Sequence, residues 1–285
     1  MNETPWKQVN IAFPGRDPRD REHQATTHLA RVLPAAQTRG LITSWFFVRK
    51  GRWRVRYLPA EASCRSQQDD HGVHRTLTRG VDWTCDIYEP ETHAFGGTTS
   101  MGTAHQLFHA DSHYLLGYLG NAPTDRRERS LILCTALMRA AGLDFGEQGD
   151  VWARLVEQRG ALLRQQPSPT TWASFTDDVQ QLLLGNACPD EGTADWLAAF
   201  EEAGARLRTL RESGQLTRGI RAITALQIIF HWNRLGIPGP TQAELAQAAK
   251  EAVFGTAPDT SRTVLTSVPL PNPRRPSSER RTRHR

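Results

Sequence analysis

The sequence predicts an α+β fold, in which a small and mostly antiparallel sheet packs against a layer of helices. Two observations lead to this prediction. The first third of the chain contains short segments that alternate or are rich in β-branched and aromatic residues, a pattern typical of strands. From about residue 100 onward, apolar residues recur at helical spacing, so the C-terminal half is expected to be all helical.

Four strands are predicted, over residues 6–13, 41–48, 52–58 and 81–88. Pro14 and Gly15 end the first strand, and Lys50 and Gly51 form the turn between the second and the third. The third strand alternates most regularly. Because side chains of a strand point to opposite faces in turn, its aromatic and valine residues share one face and three arginines share the other: Trp53, Val55 and Tyr57 against Arg52, Arg54 and Arg56.

The first helix is expected over residues 21–32, with entry at Asp17-Pro18 and its end at Pro34. Residues 59–80 are polar and are predicted to hold a loop and a short helix. Thr98, Thr99 or Ser100 is expected to cap the next helix. The helices of the C-terminal part are predicted over residues 101–118, 126–141, 147–165, 171–184, 190–212, 217–235 and 240–254, with 217–235 the most apolar and therefore central.

Composition predicts one domain over residues 1–258 and a disordered tail over residues 259–285. The tail contains seven arginines and two acidic residues, and its charge of +5 equals the formal net charge of the whole chain. The domain is therefore neutral, and no dedicated nucleic-acid site is expected.

No apolar run is long enough for a membrane span. The first residues do not resemble a signal peptide, and the four cysteines are scattered, so a cytoplasmic protein is predicted.

Few common catalytic motifs occur. The chain has neither a glycine-rich phosphate loop nor a Gly-x-Ser-x-Gly elbow, so a nucleotide-dependent enzyme or a serine hydrolase of that type is not expected. The arginine row on the third strand is the first candidate site, because guanidinium groups bind carboxylates in paired hydrogen bonds. A solvated sheet face, or salt bridges to a covering helix, explains the same row equally well.

Histidines supply two further candidates. His105, His109 and His113 lie four residues apart on one face of a predicted helix, with Asp111 nearby. A zinc site lacks an apparent fourth ligand, so no metal is predicted, and His109 beside Phe108 is the best candidate for a pocket.

His231 lies near the end of the most apolar helix. Burial would keep its imidazole neutral and able to act as a base. The alternative is a core histidine that hydrogen-bonds a backbone carbonyl, with Asn233 and Arg234 at the helix end.

Five segments in this order resemble the C-terminal elimination domain of class I lantibiotic dehydratases, which also occurs free-standing in thiopeptide biosynthesis. The likeness spans about residues 6–255. The segments are Trp45-Phe46-Phe47-Val48-Arg49 with Trp53-Arg54-Val55-Arg56, Tyr88-Glu89-Pro90-Glu91, Phe95-Gly96-Gly97, Leu107-Phe108-His109-Ala110-Asp111-Ser112, and His231-Trp232-Asn233-Arg234-Leu235.

The resemblance implies chemistry on a ribosomally made precursor peptide with a leader, alongside other maturation enzymes of the pathway. In the dehydratases, Ser and Thr are first glutamylated by a separate domain. The elimination domain then removes the α-proton and expels glutamate, which leaves dehydroalanine or dehydrobutyrine. By this resemblance Arg54 and Arg56 match the arginines that bind the glutamate carboxylates, and His231 matches a histidine that does acid/base work.

One position departs from the family. The family's loop usually reads Glu-Arg-Tyr-Gly-Gly, whereas this chain has His93-Ala94-Phe95-Gly96-Gly97. Loss of one guanidinium from a desolvated carboxylate costs about 1.5–3 kcal/mol.

The resemblance extends to thiopeptide pyridine synthases, which release no glutamate. They join two dehydroalanines in a formal aza-[4+2] cycloaddition, and then lose water and the leader peptide, without metal or organic cofactor.

The first hypothesis is therefore a pyridine synthase. Its predicted catalytic residues are His231 as acid/base, Tyr88 as hydrogen-bond donor to the imidate, and His109 as a second proton shuttle. Its predicted substrate-binding residues are Arg54, Arg56, Glu91, Asp111, Asn233 and Arg234. Two alternatives stay open: a stand-alone glutamate eliminase of a split dehydratase, and a non-catalytic subunit that only binds the precursor.

Overall fold

The computed structural model describes residues 5–60, 67–163, 168–185 and 193–255. A four-stranded antiparallel sheet and a set of helices confirm the α+β prediction. The strands are β1 (Lys7–Ala12), β2 (Ile42–Lys50), β3 (Arg52–Pro59) and β4 (Asp82–Asp86). The helices are α1 (Pro18–Thr38), α2 (Gln67–Thr78), α3 (Thr98–Gly120), α4 (Arg126–Ala140), α5 (Phe145–Arg159), α6 (Pro169–Leu184), α7 (Ala194–Glu212), α8 (Ile220–Leu235) and α9 (Gly239–Phe254), with a 3₁₀ turn at Gly160–Leu162 after α5.

The sheet has the strand order β2-β3-β1-β4, and every pairing is antiparallel. The register places Val55 of β3 between Val9 of β1 and Phe47 of β2. All three side chains are buried, so this face of the sheet belongs to the hydrophobic core. The predicted alternation of β3 is confirmed. On the opposite face, the exposure of the arginines falls along the strand from Arg52, which is exposed, to Arg56, which is 9% exposed.

Helix α1 is longer than the sequence predicts. Its N-terminus is capped as expected, since the side chain of Asp17 accepts hydrogen bonds from the backbone N–H groups of Arg19 and Asp20. Its predicted end at Pro34 is wrong, because the helix continues to Thr38. A proline removes one backbone hydrogen bond from a helix interior. Burial of the apolar face on both sides of the proline outweighs that loss: Leu29, Val32, Leu33 and Ala36.

The start of α3 differs from the predicted cap. The helix begins at Thr98, and Gly97 is the capping residue, with no side-chain cap. The prediction that Thr98, Thr99 or Ser100 caps the helix is therefore wrong, because all three lie in its first turn. Gly96 has φ +83°, and a Cβ atom at this position would lie 2.5 Å from Cδ1 of Ile223 in α8. A glycine here thus permits both the turn and the close approach of α8.

The helices form the remaining layer of the fold. Helix α3 lies against β2, α4 packs on α7, and α5 packs on α9. Helix α8 contacts α3, α4, α5 and β2, and most of its residues are buried, in agreement with its predicted central position. The helix predicted over 147–165 ends earlier, because α5 stops at Arg159 and Leu163, after the 3₁₀ turn, is extended. The predicted boundary at 190 lies outside the described residues, as do Cys64, Cys188 and the predicted tail. Among the described residues, no helix combines the length and apolar character needed to cross a membrane.

Candidate active site

Tyr88 is the centre of a polar cluster beside the sheet. Its hydroxyl lies 2.8 Å from Nε2 of His105 in α3. The guanidinium of Arg56 lies over the Tyr88 ring, 4.1 Å from the centroid, and its Nε donates a hydrogen bond to the side chain of Gln8 over 2.7 Å. Strands β1 and β3, the segment after β4, and helix α3 thus each contribute one side chain.

Burial sets the protonation states of this cluster. It raises the pKa of the Tyr88 hydroxyl well above its usual value, although the nearby Arg56 acts in the opposite direction. Burial, with a smaller contribution from Arg56, lowers the pKa of His105 to about 4. At neutral pH the pair is therefore an uncharged phenol and an uncharged imidazole, one able to donate and the other to accept a proton.

The surroundings of the pair combine aromatic rings and charge. Trp6 packs against His105 with 4.8 Å between the ring centroids, and it also contacts Tyr88 edge-on. Partial desolvation of the Glu91 carboxyl group raises its pKa, although Arg56 acts to lower it. Arg54 is half-buried on the same sheet face as Arg56. The structure thus brings together four of the predicted site residues: Arg54, Arg56, Tyr88 and Glu91.

A second cluster is enclosed among α3, α7 and α8. The carboxylate of Asp111 accepts hydrogen bonds from Nε of Arg234 over 2.6 Å and from Nε1 of Trp196 over 2.9 Å. Nδ1 of His231 lies 3.0 Å from the same carboxylate. The side chains of Asp111, His231 and Arg234 are each 0% exposed. Burial raises the pKa of Asp111, but His231 and Arg234 outweigh it, and the net direction is downward.

The position of His231 does not favour the direct acid/base role predicted for it. The described residues enclose the imidazole completely, with Phe200 edge-on at 5.1 Å between ring centroids. Its Nε2 and both terminal nitrogens of Arg234 have no hydrogen-bond partner among the described residues. Phe108 separates Arg234 from the Tyr88 cluster, since the Arg234 guanidinium lies 4.4 Å from its ring centroid and the ring also packs against His105.

His109 binds the free edge of the sheet. Its Nδ1 lies 2.8 Å from the backbone oxygen of Trp45 in β2, and its Nε2 lies 3.3 Å from Nε2 of Gln37. Three residues further along α3, the hydroxyl of Ser112 accepts a hydrogen bond from the backbone N–H of Phe47. Helix α3 thereby satisfies groups that an edge strand would leave unpaired. Both ring nitrogens of His109 have partners. This geometry favours a structural role for His109 over the predicted role as a proton shuttle.

The remaining predicted residue, Asn233, lies in neither cluster. It lines a cavity of about 510 Å³ at one end of the sheet, together with Arg49 and Trp53. Its amide oxygen accepts a hydrogen bond from Gln242 over 3.2 Å. His231, Asn233 and Arg234 are neighbours in sequence, but α8 directs Asn233 away from the buried carboxylate that the other two contact.

Sequence reasoning missed two contributors to these clusters, Gln8 and Trp196, and it named His105 only as a member of the histidine row on α3. The spacing of four between His105 and His109 placed both on the face of α3 that meets β2, but it could not show which of them faces Tyr88. No local pattern marks Gln8 or Trp196, because their partners lie 48 and 85 residues away.

The loop after Glu91 contacts a further guanidinium group, that of Arg218, which lies in the chain before α8. Nη1 of Arg218 donates a hydrogen bond to the backbone oxygen of Ala94 over 2.8 Å. The same loop is joined to the chain before α8 by a backbone hydrogen bond from Thr217 to Gly96. The positive charge of Arg218 therefore lies beside Ala94, the position where the family's loop usually has arginine.

Comparison with known proteins identifies the family. Residues 6–253 match the model described as "Lantibiotic biosynthesis dehydratase C-term". Comparison with curated proteins gives no match.

Three solved structures share the fold. They are the tRNA-dependent lantibiotic dehydratase MibB from Microbispora sp. 107891 (20% identity, TM-score 0.63), TsrL (17%, 0.59) and TbtD, a pyridine synthase from thiomuracin biosynthesis (11%, 0.59). The aligned region covers 89%, 89% and 87% of this chain, respectively. It covers 28% of MibB, 99% of TsrL and 97% of TbtD. Because the family match extends over nearly all of the described residues, this chain belongs to the lantibiotic biosynthesis dehydratase C-terminal family.

Proposed function

We propose that this protein is a pyridine synthase that acts on a dehydroalanine-containing precursor peptide. The observation that carries the proposal is the pair formed by Tyr88 and His105, an uncharged donor and an uncharged acceptor 2.8 Å apart. The likeness in fold to TbtD, a pyridine synthase, is consistent with the proposal. The alanine at position 94 also supports a reaction that releases no glutamate.

The reaction has two requirements. The amide that precedes one dehydroalanine must take its imidic-acid form, so its oxygen gains a proton and its nitrogen loses one. The resulting C=N–C=C unit then forms two C–C bonds with the C=C bond of a second dehydroalanine, through the imidic carbon and the terminal CH2 carbon of the unit. The hydroxyl group leaves as water and the leader leaves with its amide nitrogen, which gives a pyridine without any external oxidant.

Tyr88 and His105 meet the first requirement. The Tyr88 hydroxyl donates to the amide oxygen, and Nε2 of His105 accepts the proton from the amide nitrogen. Arg56 fixes the Tyr88 ring through its contact with the ring face. Arg54 and Glu91 offer charges of both signs at the exposed side of the cluster, where the peptide backbone binds. Positioning the two distant dehydroalanines supplies the larger part of the rate enhancement.

In this proposal His231 and Asp111 are positioning residues. Their hydrogen bond joins α8 to α3, the helix that carries His105. Arg234 contributes to the same junction through its contact with Phe108. His109 likewise holds α3 against β2, so the distance between His105 and the sheet is fixed from both sides.

A second candidate, glutamate elimination, is favoured by Arg218. Its guanidinium lies at the loop position where the family's arginine is missing, and together with Arg54 it could bind the carboxylates of a glutamylated side chain. Arg218 is exposed, however, and a desolvated carboxylate site requires closer enclosure.

Product analysis separates the candidates. The purified protein is incubated with a dehydroalanine-containing precursor and, separately, with a glutamylated precursor, and the products are identified by mass spectrometry. A macrocycle that has lost water and the leader supports the synthase. Free glutamate from the second substrate, abolished by Arg218→Gln, supports the eliminase and refutes the first proposal. Binding without any product in either reaction indicates a precursor-binding subunit.

A further inference from the structure

A cavity of about 510 Å³ opens at the end of the sheet where the turn after β2 approaches the link between α8 and α9. Among the described residues, four arginines line it, Arg21, Arg49, Arg52 and Arg159, but only one carboxylate, that of Glu22. None of the residues of the Tyr88 cluster is among those that line it. The surplus of positive charge is local, because the chain up to residue 258 is neutral overall.

The Glu22 carboxylate already forms ion pairs within the protein. Glu22 forms an ion pair with Arg49 over 2.5 Å and a second one with Arg126. Burial raises the pKa of Glu22, but the two arginines outweigh it and the net direction is downward, so the group stays ionised. Arg49 also donates to the backbone oxygen of Leu235 over 3.2 Å. Glu22 is therefore engaged by Arg49 and Arg126, and Arg52 pairs with Asp82 over 3.2 Å, so neither carboxylate pairs with Arg21 or Arg159.

Arg159 and Arg21 are the remaining lining cations, although Arg21 lies near enough to Asp17 to help lower the pKa of that carboxyl group. Nε of Arg159 donates to the neutral amide of Gln242 over 2.9 Å, and Arg21 donates to the backbone oxygen of Gly15 over 3.3 Å. Neither arginine forms an ion pair within the described part of the chain. Arg159 is half-buried, and this burial lowers its pKa. A partly desolvated guanidinium without a carboxylate is poised to bind an anion.

The rest of the wall is apolar and aromatic. Trp53 is 7% exposed and has the guanidinium of Arg49 over its ring at 4.8 Å. Phe13 packs edge-on against Trp53, and Leu162, which is 46% exposed, borders the opening. Asn233 also lines the cavity. A ligand that fits has a carboxylate next to an apolar side chain.

From this arrangement we infer that the cavity is a docking site for an acidic and apolar segment of a peptide. The carboxylates bind Arg159 and Arg21, and the neighbouring apolar side chains rest on Trp53 and Phe13. This inference deepens the proposed function, since it rests on a peptide substrate, and it assigns to Asn233 a place in peptide docking. The site is separate from the Tyr88 cluster, so it recognises a part of the peptide that does not react.

Peptide binding tests the inference without turnover. A fluorescein-labelled nonapeptide that alternates Glu and Leu is titrated with the full-length protein, and binding is followed by fluorescence anisotropy. A matched peptide that alternates Gln and Leu reports the apolar contribution alone. We expect Arg159→Gln and Arg21→Gln each to weaken binding of the Glu peptide about tenfold, which is the loss expected for one charge-assisted hydrogen bond. Arg39→Gln removes the same charge from an exposed position at the end of α1 and should leave binding unchanged.

The outcomes distinguish the two proposals. Equal binding of the Glu and Gln peptides, or equal effects of Arg159→Gln and Arg39→Gln, overturns the docking site. Stronger binding of a single-stranded RNA oligonucleotide than of the Glu peptide, lost in Arg159→Gln, overturns it as well. Tyr88→Phe should bind the Glu peptide like the unaltered protein. If the unaltered protein binds the Glu peptide but forms no pyridine product with any precursor, the docking site stands and the proposed reaction fails.

Discussion

Asp111 and His231 form a hydrogen bond of 3.0 Å although neither side chain is exposed to solvent. The same carboxylate accepts from Arg234 and Trp196, so one acidic residue of α3 satisfies donors from α7 and α8. Buried charges are tolerated when they are paired and hydrogen-bonded in this way. The cluster therefore fixes how three helices meet.

Asp111→Asn should be strongly destabilising. The substitution leaves the Arg234 guanidinium buried without a counter-charge, and breaking a buried ion pair in this way costs about 3–5 kcal/mol. The free energy of unfolding, measured with urea, reports the loss. Glu212→Gln removes one partner of the exposed pair with Arg208 and should cause no measurable change. Equal stability of the two variants would show that the buried cluster does not hold the helices together.

His105 should make stability depend on pH between about 6.5 and 4. Its folded pKa of about 4 lies below the unfolded value of 6.5, because burial disfavours the charged imidazole. In this window the unfolded chain binds a proton that the folded chain does not, so stability falls as the pH falls and levels off below about 4. The free energy of unfolding, measured with urea, should differ less between pH 7 and pH 5 in His105→Gln than in the unaltered protein.

His113→Gln is the matched control, since this exposed histidine lies on the same helix eight residues further along. It should leave the pH dependence of stability unchanged. If the stability of His105→Gln depended on pH as strongly as that of the unaltered protein, the lowered pKa of His105 would be refuted.

Two helical glycines should respond oppositely to alanine. A Cβ atom at Gly204 in α7 would lie 2.3 Å from the backbone oxygen of Leu137 in α4, so Gly204→Ala must push the two helices apart and should cost about 1–3 kcal/mol. Gly102 in α3 has open space around it, and Gly102→Ala should stabilise the helix by about 0.5–1 kcal/mol. Thermal unfolding distinguishes them, and a destabilised Gly102→Ala would contradict the exposed position of that residue.

Ser112→Ala should weaken the attachment of α3 to β2. The buried backbone N–H of Phe47 loses its acceptor, and an unsatisfied buried donor costs about 1–3 kcal/mol. Amide hydrogen exchange at Phe47 should accelerate by a corresponding factor. Ser213→Ala removes a hydroxyl group at an exposed helix end and serves as the control. Unchanged protection of Phe47 would mean that the edge of β2 is held by other contacts.

The sequence predicted the elements of the fold better than the arrangement of the site. The alternation of Trp53, Val55 and Tyr57 is a local signal, and it correctly separated the buried face of β3 from the arginine face. Pro34 misled the prediction, because a local helix breaker was outweighed by burial on both sides of it. The cap of α3 was misassigned because Gly97, whose φ of +108° favours glycine, takes the capping position.

The candidate site depends on contacts that no local pattern encodes. The sequence predicts separate roles for Tyr88 and His109, whereas His105, one turn earlier in α3, is the histidine that contacts the Tyr88 hydroxyl. His231, Asn233 and Arg234 are adjacent in sequence and were grouped as one site. A helix turns by about 100° per residue, so Asn233 faces the arginine-lined cavity while the other two face Asp111.

The rate at which Tyr88→Phe converts a dehydroalanine-containing precursor tests the central claim most directly. Mass spectrometry follows the release of leader peptide, and Tyr118→Phe, which removes a hydroxyl group bound to Asp125, is the matched control. Loss of a proton donor should slow the reaction by about 10²- to 10⁴-fold in Tyr88→Phe alone, with the fold intact. Full activity of Tyr88→Phe would contradict the assignment of the Tyr88–His105 pair as the reacting centre.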